Sequence, residues 1–207
     1  MGWPALFGTG LGLAAGAGLN AYAVLLVYGG IVRFFPEEYP GALGQLLGST
    51  PALIAFAVMF LLEFFADKIP GLDHFWDLLQ TVVRPLAGAV LAIASVNPSG
   101  DSPLLMAVAG GSGGGVALVA HLLKSATRLT STALTGGIAN VALSLAEDVV
   151  AFLQALVSIF LPLLSLVLVA ALAGLFLLSV PKIARSVNLF GRRRGEPRRS
   201  APTPPCR

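Results

Sequence analysis

Of 207 residues, 56% are hydrophobic and only 11% are charged, against about 25% charged in an ordinary soluble domain. With 13 Lys+Arg, 10 Asp+Glu and a mean hydropathy of +0.86, the chain cannot assemble a normal water-facing surface and is too apolar to be disordered. Its single cysteine, Cys206, excludes a disulfide scaffold, and its 24 glycines suit helices packed closely in lipid.

From Met1 to Val32 there is no charged residue, which predicts one retained transmembrane helix, since a span needs about 20 apolar residues. A secretory signal would carry a basic start, which is missing here. Further apolar segments follow at Thr50–Ala66, Phe75–Val96, Pro103–Leu123 and Ala133–Val180. The last is too long for one span and holds Glu147, Asp148 and Pro162, so it divides into two helices. Loops are expected at Arg33–Ser49, Lys68–Leu72, Asn97–Ser102 and Lys124–Thr132, the third being the clearest turn signal.

After Val180 the chain is basic and rich in Pro, Gly and Arg, including Arg192, Arg193 and Arg194. The positive-inside rule assigns this tail to the cytoplasm and explains its charge without nucleic acid. Six spans then return the N-terminus to the same side, with Lys68, Lys124 and Arg128 inside and Glu37, Glu38 and Asp101 outside. Cys206 is not in a prenylation box.

The central turn invites a comparison of the halves. Gly16-Ala17-Gly18 parallels Gly113-Gly114-Gly115, Ile54 to Glu63 aligns with Ile138 to Glu147, and Pro85 to Ala94 aligns with Pro162 to Ala171. Three spans per half is an odd number, so the halves would lie inverted in the membrane, a common transporter design. The organisation expected is a first three-helix repeat at 1–96, a central turn at 97–103, a second repeat at 104–180 and an unstructured basic tail at 181–207. Gly8, Gly12 and Gly16 stand four apart, as do Gly111 and Gly115, and read as helix-packing ridges. No Walker spacing accompanies them.

Charge within apolar helices is costly and needs a partner or a hydrated cavity. Glu63 and Asp67 lie one turn apart. Asp73, Asp77, Gln80 and Arg84 share a helical face, as do His121, Lys124 and Arg128. Asn140, Ser144 and Glu147, beside Asp148, form a further stripe that Gln154 and Ser158 continue. These faces are expected to meet in the bundle, either as a structural ion-pair network or as a hydrated pathway with a protonatable Glu63/Glu147 pair. Pro85 and Pro162 each remove a backbone donor, as in the broken helices that border transporter sites. No metal-ligand spacing, nucleophile–base motif or cofactor motif occurs, so no metal, no cofactor and no enzyme activity is expected.

The run from Glu63 through Phe64-Phe65-Ala66-Asp67-Lys68-Ile69-Pro70-Gly71-Leu72-Asp73, then Trp76-Asp77 and Arg84-Pro85, resembles a multi-pass membrane family known as domain of unknown function 4126 (DUF4126). Gly18-Leu19-Asn20-Ala21-Tyr22, Leu143 to Asp148 and the spacing of His121, Lys124 and Arg128 resemble it too, which adds Asn20 and Tyr22 to the candidate site. The likeness covers residues 5–180 and implies a small bacterial integral membrane protein without implying an activity. Physically, Lys68 to Gly71 also reads as a tight helical reversal, so the charged run can be a hairpin instead of a site.

The sequence thus predicts an all-α protein of the inner (plasma) membrane, with about six spans in two inverted repeats and both termini cytoplasmic. Its partners would be lipid and a small ion or polar solute, with a second copy of the chain left open. A non-transporting scaffold is the alternative.

Overall fold

A computed structural model of the chain describes residues 2–39, 41–69, 72–96 and 102–195, with side chains for all of these except 73, 74 and 179–195. The central turn at 97–101, Pro70, Gly71, the side chain of Asp73 and the tail beyond 195 lie outside the described residues. Eight helices run in order: α1 Trp3–Leu19, α2 Ala21–Phe34, α3 Ala42–Leu47, α4 Thr50–Ala66, α5 Leu72–Val96, α6 Pro103–Thr135, α7 Asn140–Phe160 and α8 Pro162–Gly195. Residues 1–173 make one compact unit, and 174–207 a second, whose described part is helix to Gly195. The part of the expected tail at 181–195 is therefore helical. Among the described residues, three helices contain stretches long and apolar enough to cross a membrane: Phe75–Val96, Pro103–Thr135 and Asn140–Phe160.

The first apolar run is not one span. It divides at Asn20, whose extended backbone (φ −148°, ψ 105°) ends α1 while its side-chain oxygen accepts from the Ala23 amide to cap α2. The chain reverses there, because Val24 of α2 returns against Gly16 of α1 and Tyr28 lies beside Ser95. Trp3 and Arg33 consequently fall at the same end. At 1.5 Å per residue, the 17 residues of α1 and 14 of α2 reach about 25 Å and 21 Å, short of a hydrocarbon core of about 30 Å.

Helix α1 is the centre of the fold. Its small residues let α5, α6 and α7 approach its backbone: a Cβ on Gly12 would overlap the Ser158 and Ser165 hydroxyls, and one on Gly18 would overlap Ala117. Gly10 lies beside Ala92 and Gly18 beside Arg84, and Gly12 beside Ser158 and Gly16 beside Ala151, so α5 and α7 run antiparallel to α1; Phe7 near Ala109 and Gly18 beside Ala117 make α6 parallel to it. Above the tip of the hairpin, Leu13, Val24, Tyr28, Leu91 and Ile159 close an apolar core.

Three other expectations change. The segment Lys124–Thr132 is helical, since α6 continues until Gly136 and Gly137 take positive φ (64° and 89°) in a left-handed cap. Pro85 leaves α5 unbroken, whereas Pro162 does follow a break at Leu161. Gly111 and Gly115 face open space, and the close contact to α5 is made by Gly113 against Gly88 and Ala92.

A buried charged layer at the tip of a helical hairpin

The polar stripes of α4, α5, α6 and α7 converge on the α1–α2 reversal. Arg84, near the middle of α5, donates from Nη2 to Glu63 Oε1 at 2.6 Å, with both side chains fully buried. Its Nη1 donates to the Gly18 carbonyl at 3.3 Å and to His121 Nδ1 at 2.8 Å. An imidazole nitrogen facing an arginine donor must accept, so Nε2 carries the hydrogen and donates to Thr81 Oγ1 at 3.1 Å. Thr81 in turn donates to the Asp77 carbonyl at 3.0 Å, fixing the ring as a neutral imidazole.

One turn further along α6, Lys124 Nζ donates to the Leu19 carbonyl at 2.8 Å and lies 3.2 Å from Glu147 Oε2 and 3.5 Å from Asp67 Oδ2. The break at Asn20 frees the Gly18 and Leu19 carbonyls, and two cations occupy them at the negative end of α1. Another turn on, Arg128 Nη2 donates to Asp67 Oδ2 and Glu147 Oε2, both at 2.7 Å. Arg84 and Arg128 also flank Asp77, each at 3.8 Å. Burial alone would raise the Asp67 carboxyl, but Lys124 and Arg128 beside it hold it below its ordinary range.

Asn20 is fully buried and donates from Nδ2 to Asp148 Oδ1 at 2.8 Å, tying the reversal to α7. Ser144 donates to Asp67 Oδ2 at 3.5 Å. Tyr22 is half-buried on the apolar core beside Glu63 and Gln80. Eleven of the twelve sequence candidates thus gather around one tip, and the twelfth, Asp73, lies outside the described side chains. Sequence reasoning missed Thr81 and the Gly18 and Leu19 carbonyls. Thr81 does stand four residues after Asp77, a spacing that places it on the same face.

The layer is sealed at one end and open at the other. Glu63 and Arg84 have no exposed side-chain surface, while Asp77 and Glu147 show 10% and 12%. Lys68 stays at the margin, donating to the Phe64 carbonyl with its ammonium 3.1 Å from the centre of the Phe64 ring. Among the described residues no group of three or more His, Cys, Asp or Glu side chains could hold a metal ion. A separate cleft of about 110 Å³ is lined by Ala15, Leu19, Ala120, Val150, Gln154, Leu168 and Leu172, none of them charged.

No curated protein and no solved structure matches the chain. The model of one family, described as "Domain of unknown function (DUF4126)", matches residues 7–182, and the chain therefore belongs to that family.

Proposed function

We propose that this chain is a plasma-membrane transporter or channel for a small ion or polar solute, with its site in the charged layer at the tip of the α1–α2 hairpin. The observation that carries this reading is the hairpin itself. Its two helices are each shorter than a full crossing, and its tip lies level with the middles of α5, α6 and α7. Non-helical backbone at membrane depth is tolerated where it is buried in protein or lines a solute path, and broken helices whose freed carbonyls can face a cation commonly border transporter sites.

The parallel course of α1 and α6 departs from an inverted repeat at the first aligned block, but the alignment of Ile54 to Glu63 with Ile138 to Glu147 adds support to the same assignment. That alignment pairs Glu63 with Glu147, and each of these holds an arginine, Arg84 or Arg128. With the basic tail cytoplasmic, the hairpin puts the start of α1 on the outer side, beside the Arg33–Ser49 segment, in place of the cytoplasmic N-terminus expected from six single spans. Oligomerisation with a second copy stays compatible with this arrangement.

A structural scaffold is the second reading, favoured by the complete burial of the Glu63–Arg84 pair. Flux measured in proteoliposomes separates the two. The transport reading expects Glu63→Asp and Glu147→Asp, which leave each arginine a partner charge, to lose at least tenfold in flux while unfolding within a few degrees of the wild-type temperature. Absent wild-type flux, with both variants losing stability, would establish the scaffold.

A further inference from the structure

Lys124 is held as an ion would be held. Its ammonium faces three oxygens from three different segments: the Leu19 carbonyl at 2.8 Å, Glu147 Oε2 at 3.2 Å and Asp67 Oδ2 at 3.5 Å. The ammonium donates a hydrogen bond to the Leu19 carbonyl and makes ion-pair contacts to the two carboxylates. The carbonyl belongs to the last turn of α1, where the backbone carries partial negative charge. These distances exceed the roughly 2.0–2.6 Å at which magnesium and calcium bind oxygen, so the seat suits a larger monovalent ion.

Two further observations are independent of that geometry. Five carboxylates, those of Glu63, Asp67, Asp77, Glu147 and Asp148, share the layer with four basic side chains, Arg84, Lys124, Arg128 and, at its margin, Lys68. The surroundings therefore stay acidic even with Lys124 in place. In addition, Asp67 is 2% exposed, and its second oxygen, Oδ1, has no hydrogen-bond partner although its twin Oδ2 lies at the Lys124 seat. A buried acceptor left unpaired is costly, so the Asp67 carboxylate keeps free acceptor capacity next to the seat.

The seat can also outlast the departure of its occupant. Lys124 is a flexible point charge on a four-carbon stem, whereas Arg128 grips Glu147 through both Nε and Nη2 and Asp67 through Nη2. If Lys124 swings away, Arg128 still holds both carboxylates in position.

We propose that the oxygen seat formed by Leu19, Asp67 and Glu147 is a binding site for a small monovalent cation of ammonium or potassium size, with the Lys124 side chain as its tethered, displaceable occupant. This deepens the transport reading by naming the class of solute, and rests on that reading only for what happens after binding.

The test is thermal unfolding of the purified full-length chain in detergent, in ammonium, potassium, sodium or choline chloride at equal ionic strength. Lys124→Ala should melt about 5 °C or more higher in ammonium or potassium than in choline, the shift expected when a ligand stands near a hundredfold above its Kd. The wild type should move by less than about 1 °C, its seat being filled, and Lys124→Ala/Asp67→Asn should lose the selectivity. If Lys124→Ala does not fold, Lys124→Leu takes its place, since it keeps the packing of the apolar stem and leaves all three oxygens without an occupant. Equal melting in all four salts, or melting that follows pH and ignores the cation, overturns the site. Selective stabilisation without flux in proteoliposomes keeps the site and overturns transport, and flux without selective stabilisation does the reverse.

Discussion

Arg84 of α5 and Glu63 of α4 meet at 2.6 Å with no exposed surface on either side chain, a fully enclosed ion pair within the described residues. Removing one partner strands the other charge in a low-dielectric interior, whereas replacing both relieves the desolvation of each. Arg84→Met or Glu63→Leu alone should therefore cost about 3–5 kcal/mol, while Arg84→Met/Glu63→Leu should recover most of that loss. Denaturant unfolding of the three variants in detergent measures it, and additive losses would contradict the pairing.

Gly12 and Gly111 make opposite predictions from the same residue type. A methyl at Gly12 overlaps the Ser158 and Ser165 hydroxyls, and one at Gly111 meets nothing within 4 Å. Gly12→Ala should destabilise by about 1–3 kcal/mol through overpacking. Gly111→Ala should be neutral or stabilise by up to about 1 kcal/mol, as expected for glycine in an open helix position. Melting temperatures of the two single variants decide it.

Asn20 has two tasks, capping α2 through its oxygen and holding Asp148 through its nitrogen. Asn20→Ala should lose both, at a total of about 2–4 kcal/mol. Asn20→Ser keeps an N-cap oxygen but is too short to reach Asp148, so it should restore about 1 kcal/mol of that loss. Equal stability of the two variants would show that the cap contributes nothing.

Acid stability should depend on Asp67. Its carboxyl is held below the usual 3.8 by Lys124 and Arg128 against the opposing effect of burial. A depressed carboxyl adds stability that is fully present above its unfolded value and is lost as pH falls through the lower folded value. Wild type should thus lose stability below about pH 4 more steeply than Asp67→Asn, whose acid limb should be flatter. Melting curves from neutral pH to about pH 3 give both slopes.

Much of this architecture is legible in the sequence because it follows from periodicity. Asp77, Gln80 and Arg84, and likewise His121, Lys124 and Arg128, lie one turn apart, and a face carrying that much charge in an apolar helix has to turn inward. The reversal at Asn20 is not legible in the same way. Nothing between Met1 and Val32 interrupts hydropathy, and the turn rests on a single buried amide whose partners, Asp148 and the cations on Gly18 and Leu19, come from distant parts of the chain. The misreading of Lys124–Thr132 as a loop has a related cause. Local charge density suggests solvent, yet Lys124 and Arg128 are buried because Asp67 and Glu147 meet them there. The Gly111/Gly115 ridge shows that small-residue spacing marks a face without saying whether a neighbour occupies it.

The hairpin underlies the whole account, and side-specific labelling tests it most directly. In a Cys206→Ser background, Trp3→Cys, Phe35→Cys and Ile69→Cys each place one thiol at an exposed position. Intact cells are treated with a membrane-impermeant maleimide and compared with permeabilised cells. A reversal at Asn20 predicts that Trp3→Cys and Phe35→Cys label from the same side and Ile69→Cys from the other. Labelling of Trp3→Cys and Phe35→Cys from opposite sides would show a single crossing helix and contradict the account.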